Sequence, residues 1–417
     1  MKSILVTNTG DKLHALSLIE RQDLNVTIVT EKRFLDMYPA GTDIIFVENL
    51  NDPSTSTHTV VRNRDCNQYE AVVSLSERAA PLGAYLRNYL GIDGPSFDTI
   101  MNCTNKYTMK RRFSANGLPT PRFAMAYSPK GVATIAQEFK SPIIVKPIIG
   151  AGTDATKVFK EITDLNQKEA QNYFHKLSYP KTTSEKQFPV VVEEFINVNE
   201  ELHCDGFVEN GKVVFARVSK YLRPVLEYSD DVFGSYTLGQ ADPLSKEILK
   251  MHEIAVQSVG IQNGVTHFEV FNSDKGLIAG EIACRPGGGG IRKMLQLQSG
   301  FDSWEAHLQS SLCEKYTWEN TANPEKQVMQ LMLPSRRGKI SSISTYDDFK
   351  SVPGLLEGDI NLKTGDVVDG LMDSSSVSGL LYIQFDNSSE LDHLISTVKN
   401  QFYIEVEDPE YNKIPIK

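Results

Sequence analysis

This sequence predicts an α/β protein of two or three lobes, and three observations carry the prediction. Over residues 1–97, short apolar runs rich in β-branched residues (SILVTNT, NVTIVT, DIIFVE, EAVVSLS) alternate with helical segments. That is the pattern of a small doubly wound α/β domain. Farther on, the apolar runs IIVK (143–146) and VVVEEFI (190–196) are set apart by glycines and polar turns. Finally, residues 265–291, VTHFEVFNSDKGLIAGEIACRPGGGGI, read as a strand, a turn cluster and a returning strand. At 417 residues the chain is long enough for two or three domains with a large buried core.

Composition narrows the function classes. Hydrophobic residues at 40% and charged residues at 23% are ordinary for a soluble globular protein. A net charge of −10 disfavours a nucleic-acid partner, because binding a phosphate backbone needs a basic face. No apolar run is long enough to span a bilayer, so no membrane partner is expected. The N-terminus, MKSILVTNTG, enters a strand directly and lacks the charged, apolar and cleavable pattern of a signal sequence. Five scattered cysteines without a CxxC read as reduced thiols, and the expected location is cytoplasmic. Eight histidines show no HExxH spacing, and KRR at 110–112 reads as a solvated helix face.

In the first region Gly10 is isolated and no GxGxxG follows the first strand, which excludes a dinucleotide site there. Ser76 and Glu77 follow the strand EAVVSL, where an open parallel sheet presents ligand-facing loops. Residues 98–190 are expected to hold a linker helix and a small lid subdomain, with Lys106 at the start of the helix. The strand IIVK ends in Lys146 and is stopped by Pro147. Gly150 and Gly152, with Thr153 beside them, then allow a loop whose backbone N–H groups approach phosphate closely. Residues 191–417 are expected to form a large lobe with a C-terminal extension containing PSRRGKI.

The last hairpin carries the most chemistry. Glu269 and Glu281 are twelve residues apart, with Arg285 four residues on and glycines at 287–290 behind it. If the hairpin closes around Lys275, side-chain alternation sets the two glutamates against each other on one face. Carboxylates that close repel unless something positive lies between them. A divalent cation with oxygen ligands fits, Mg²⁺ arriving with a nucleoside triphosphate above all.

These motifs resemble the ATP-grasp superfamily, in order and over about 190 residues. What the resemblance implies is specific. Lys106 and Lys146 would meet the phosphates, and the loop of Gly150, Gly152 and Thr153 would close over them. Glu193, Glu194, Phe195 and Ile196 would form the adenine hinge, and Glu200 would take the ribose hydroxyls. Glu269 and Glu281 would hold Mg²⁺, or Mn²⁺ in its place. The family has asparagine where this chain has Ala283, so one oxygen ligand is missing. Arg285 and Lys146 would be catalytic, while Arg285, Gly287, Gly288, Gly289, His267, Ser76 and Glu77 would contact substrate. Apart from the resemblance, Lys220 in RVSKYLRP is a candidate for the γ-phosphate, against the reading of an ordinary packed residue.

The whole-chain layout is similar to the L-amino-acid ligases, through GIQNGVTHFEVF, EIACRPGGGG, the LSE of the first region and PSRRGKI. That implies small-molecule amino-acid substrates, ATP and Mg²⁺ as cofactors, an acylphosphate intermediate, a dipeptide product and a homodimer. An ATP-grasp ligase with another carboxylate or amine, purine-pathway-like or carboxylase-like, stays open. So does a non-catalytic nucleotide-binding protein, which Ala283 alone favours.

Overall fold

Four sheets organise the computed structural model, which describes residues 1–140, 142–150, 155–178, 187–227, 231–321, 326–369 and 376–407. The first sheet is parallel: β1 (Lys2–Thr7), β2 (Leu24–Glu31), β3 (Ile44–Val47) and β4 (Ala71–Ser74), in the order β3-β2-β1-β4. Ile4, Val6, Ile28 and Val73 enter one apolar cluster, while Leu5, Val29 and Val72 enter another. Burial on both faces is why these strands read as unbroken apolar runs.

The chain then passes through the helix Lys106–Ala115 into a small antiparallel sheet. Its strands are β5 (Phe123–Ala126), β6 (Ile143–Pro147), β7 (Lys157–Phe159) and β8 (Val190–Glu194), in the order β5-β8-β6-β7. Val132, Ile135, Phe174 and Leu177, from the helices Pro129–Phe139 and Lys168–Ser178, pack on it.

The largest sheet begins with β9 (Val198–Glu209), β10 (Lys212–Tyr221), β11 (Phe233–Thr237), β12 (Gly264–Ser273) and β13 (Gly276–Ala283). The C-terminal strands are β14 (Gln327–Pro334), β15 (Gly338–Ile343), β16 (Leu355–Ile360), β17 (Val367–Val368), β18 (Val377–Phe385) and β19 (Ile404–Val406). Eight of these strands form the antiparallel order β13-β12-β9-β10-β11-β14-β18-β16, and β17-β15-β19 form a small sheet beside it. On one face of the large sheet, Leu202, Cys204, Val218, Phe268, Val270 and Ile282 pack against the helices Lys106–Ala115 and Pro243–Val259. The other face carries the polar residues of interest. Among the described residues, no helix is long and apolar enough to cross a membrane.

Candidate active site

The two glutamates meet through a bulge. The hairpin closes with Ser273 opposite Gly276, leaving Asp274 and Lys275 as the turn, one residue tighter than a turn centred on Lys275. Continued unchanged, that register would pair Glu269 with Gly280 and send Glu281 to the opposite face, because a one-residue slip flips every side chain. Instead the register shifts between Phe268 and Val270, so Gly280 and Glu281 stand together against Glu269. Glycine is needed at 280, since a Cβ there would lie 2.9 Å from the Glu269 carbonyl oxygen. The sequence expectation of facing carboxylates therefore holds for a reason that simple alternation does not contain.

Cations converge on Glu281. Lys106 donates directly to its carboxylate, and Lys146 lies 3.4 Å from the other oxygen. Lys146 is also 3.5 Å from Glu193. The Lys106 backbone N–H donates to the carbonyl of Ile148 at 2.9 Å, which ties the helix start to the segment following Pro147. Burial opposes the Glu281 charge, but Lys106, Lys146 and Lys110 outweigh it and hold the carboxyl well below its ordinary range. Burial likewise opposes the Lys146 ammonium, and Glu193, Glu281 and Glu269 raise it well above the usual value.

Of the KRR run read as a solvated face, Arg111 and Arg112 are exposed as expected, and Lys110 is the correction. Its side chain is fully buried, donates to the Gly280 carbonyl at 2.9 Å and lies 3.6 Å from Glu193. It stands one helical turn after Lys106, so both lysines share the face turned toward the glutamates.

A second row of polar groups had no place in the sequence reading. On β9, Glu201, His203 and Asp205 alternate with Leu202 and Cys204, and all five are buried. Asp205 accepts from both neighbouring imidazoles, with His203 Nδ1 at 2.6 Å and His267 Nδ1 at 2.8 Å. The far nitrogen of His267, Nε2, stands 3.6 Å from Glu269 Oε1. His203, Asp205 and His267 bring ligand atoms within 4.8 Å of one another and form a candidate metal cluster.

Burial opposes the Asp205 charge, yet His267 and His203 draw its carboxyl well below the ordinary range. Burial also opposes the His267 cation, but Asp205 and Glu269 push it up to about 10. Gly287 closes over this pair. A Cβ there would sit 2.8 Å from Asp205 Oδ1 and 2.9 Å from His267 Nδ1. Glu201 accepts the Val225 N–H at 2.8 Å, and burial with the nearby Glu269 charge pushes its carboxyl up to about 8. The legible signal was ELHCD: charged residues at every second position of a strand mark a buried polar face when both sides of the sheet are covered.

At the hinge, Glu193 is turned inward and only 1% exposed, facing Lys110 and Lys146. Glu194 turns the other way, to Lys275 and Arg122. The N–H groups of Glu194 and Phe195 already donate to the carbonyls of Arg122 and Pro142, each at 2.8 Å. A base edge would therefore be read by the hinge carbonyls and by groups from Ile196 onward. Glu200 binds Lys220 and accepts from Asn272 at 2.7 Å, which puts Lys220 beside the acid expected at the ribose. Gly150 is buried, while Gly152 and Thr153 lie outside the described residues.

Beyond the end of β13, Arg285 reaches across to the first domain. Its Nη2 and Nε donate to Glu77 Oε2 at 2.7 and 3.2 Å, and Glu77 outweighs burial in raising its pKa. The Ser76 hydroxyl lies 2.6 Å from that of Thr9, and Ser76, Glu77 and Arg285 line one cavity with Cys103 and His307. Gly288 has open space where a Cβ would stand, and Gly289 and Gly290 take left-handed backbone (φ +62° and +89°) ahead of the helix Ile291–Ser299. Lys106, Lys146, Glu193, Glu269 and Glu281 thus form one charged group, and Arg285 with Glu77 forms a neighbouring ion pair. Burial opposes both charges, but His267 and Lys106 hold Glu269 ionised as the lysines hold Glu281, and two adjoining ionised carboxylates suit a hard divalent cation carrying phosphate.

The chain is similar to known proteins in sequence and in fold. Residues 139–293 match the model of an ATP-grasp domain. The chain is 29% identical over 413 residues to an L-arginine-specific L-amino acid ligase of Bacillus subtilis, covering 97% of this chain and 98% of that one. In three dimensions it resembles an L-amino acid ligase from Bacillus licheniformis, with a TM-score of 0.75 at 18% identity, over 98% of this chain and 99% of the other. A biotin carboxylase domain from Hydrogenobacter thermophilus, solved with MgADP and bicarbonate, superposes with a TM-score of 0.68 at 14% identity, covering 97% and 90%.

Proposed function

This chain is an ATP-grasp carboxylate–amine ligase related to the L-amino-acid ligases, and from that premise we propose what its residues do and which amino acid it activates. The reaction joins the carboxylate of one amino acid to the amine of another through an acylphosphate, giving a dipeptide, ADP and phosphate. A carboxylate at neutral pH is a poor electrophile, and phosphorylation turns one of its oxygens into a leaving group.

In our reading Lys106 and Lys146 supply fixed positive charge to the phosphates of ATP. Glu193 to Ile196 and Glu200 hold the base and ribose, the Glu200 carboxylate suiting a vicinal diol. Glu269 and Glu281 hold Mg²⁺, which when bound neutralises charge on the transferring phosphoryl group. Arg285 binds the substrate carboxylate and then the anionic tetrahedral intermediate, helped by backbone N–H groups from Gly287 to Gly289.

One observation carries this reading. Glu281, gripped by two lysines, and Arg285, paired with Glu77, lie on the same short segment. Phosphate chemistry and carboxylate binding are therefore held four residues apart.

The choice of substrate follows from chemistry and from the Bacillus subtilis relative. An amino acid is a zwitterion, and the Arg285–Glu77 pair offers one partner to each end, Arg285 to the carboxylate and Glu77 to the ammonium. A relative that matches over nearly its whole length is L-arginine-specific, and we propose a basic amino acid as the activated substrate here. Phosphate release from Mg·ATP across single and paired amino acids tests this, with Glu281→Gln as the blank and mass spectrometry of the product. Release with arginine or lysine plus a second amino acid, with the dipeptide mass, is the expected result. Release driven only by acidic or aromatic amino acids would overturn the substrate assignment, and none with any amino acid would overturn the proposed site roles.

A further inference from the structure

We propose that Arg87 binds the carboxylate of the second amino acid, the one whose amine attacks, inside the cavity it shares with Arg285 and Glu77. The inference rests on the ligase reading of this site and concerns the one charged group that reading leaves without a partner. Three observations lead to it.

First, the reaction handles two carboxylates and activates only one. Arg285 takes the activated carboxylate and Glu77 the ammonium beside it. The attacking amine must lose its proton to be a nucleophile, so the second amino acid reacts as an anion. Its carboxylate needs a cation of its own. A single carbon separates that carboxylate from the amine, which places the cation close to where Arg285 holds the acyl carbon.

Second, Arg87, Arg285 and Glu77 line one cavity together with Cys284 and His307. Its volume is about 30 Å³, room for about two waters and so for the two oxygens of a carboxylate. His307 donates from Nε2 to the Ser74 carbonyl at 3.0 Å, and burial lowers its pKa to about 4, so its ring is neutral. Two guanidinium groups and one carboxylate leave the cavity with one positive charge unmatched.

Third, Arg87 is held in place and lacks an anion. It is 5% exposed and, among the described residues, has no carboxylate partner. Its Nη1 donates to the Val72 carbonyl at 2.8 Å and its Nε to the Pro95 carbonyl at 3.3 Å. Gly94 packs on the stem, since a Cβ there would lie 2.8 Å from Arg87 Cδ. These contacts fix the guanidinium plane and leave Nη2 without a partner among the described residues. Two carbonyls can be satisfied by neutral donors at lower desolvation cost, so the buried charge itself calls for an anion. Arg217 is the competing cation. It too is 5% exposed with no carboxylate partner among the described residues, but it does not line this cavity.

The test offers the full-length enzyme two acceptors under saturating Mg·ATP and first amino acid. One is the second amino acid, and the other is its amino alcohol, whose amine is about as basic but carries no carboxylate beside it. In the unmutated chain kcat/KM for the amino acid should exceed that for the alcohol roughly 10- to 100-fold, the worth of a hydrogen bond to a charged group. Arg87→Met should erase the preference by lowering the amino acid's value alone and leave the KM of the first amino acid unchanged. Arg87→Lys, which keeps the charge, should retain part of the preference. Equal use of both acceptors by the unmutated chain would overturn the proposal without touching the ligase reading. A preference that survives Arg87→Met would also overturn it, and its loss in Arg217→Met would then move the carboxylate to Arg217. Phosphate release with no coupled product from either acceptor would overturn the ligase reading together with this proposal.

Discussion

The two faces of β9 and β12 are both largely buried and opposite in character. Leu202, Cys204, Phe268 and Val270 enter the apolar core, while Glu201, His203, Asp205 and His267 alternate with them on the other side, where Glu269 also stands. Phe268 and His203 are both 0% exposed. What differs is how burial is made tolerable. Apolar residues gain free energy from leaving water. Charged ones stay charged only when opposite charge compensates the loss of hydration, as Lys106 does for Glu281 and His267 for Asp205. Glu201 has a backbone N–H as its partner, and burial keeps its carboxyl protonated up to about pH 8.

The contrast can be broken from either face. The largest effect should come from Phe268→Ala, which opens a cavity under the site. It is expected to lower unfolding free energy by about 3–5 kcal/mol in urea denaturation. A loss below about 1 kcal/mol would mean that the apolar face is not the stabilising one. Arg285→Ala should lower the urea midpoint less than Phe268→Ala does, since it leaves Glu77 without its cation, and should raise the barrier by about 3 kcal/mol, roughly a hundredfold or more in kcat. A change confined to KM would assign Arg285 to substrate binding alone.

Glu201→Gln sharpens the comparison through pH. The folded carboxyl titrates near 8 against an ordinary value of 4.5, so the folded state binds more protons between those values. Native stability from this group is full below about pH 4.5 and lost as pH rises through 8. The variant should match the unmutated chain near pH 5 and exceed it at pH 8.5 by on the order of 2 kcal/mol or more, because there the unmutated carboxyl must carry its charge in a buried place. Equal melting curves at both pH values would contradict it. The smallest effect belongs to Lys275→Ala: Lys275 is 65% exposed in its pair with Glu194, and its loss should cost about 0.5 kcal/mol or less by the same denaturation.

How much of this was legible in the sequence follows from the same contrast. The parallel N-terminal sheet announced itself because burial on both faces gives unbroken apolar runs. The ATP-grasp layout was legible because its chemistry lies in short local patterns: a lysine before a proline and glycines, paired glutamates, and an arginine before glycines. Lys110 was misread because a helix presents its charge the same way to water and to a buried carboxylate. His203 and Asp205 were passed over because their partner, His267, is 62 residues away from Asp205 and only sheet register brings them together. The β12–β13 bulge was invisible because it depends on how tightly the turn closes, which Asn272 to Gly276 left open to two registers. Glu77 was placed at a strand end, but its contact with Arg285 spans 208 residues and two lobes.

The most direct test of the account labels the oxygens of the substrate carboxylate. With ¹⁸O in both carboxylate oxygens of the activated amino acid and unlabelled Mg·ATP, each dipeptide formed should release one phosphate bearing one ¹⁸O. That transfer requires the carboxylate to have been phosphorylated by ATP before the amine attacked. Dipeptide formation with unlabelled phosphate, or with the label carried into AMP, would contradict the acylphosphate mechanism at this site.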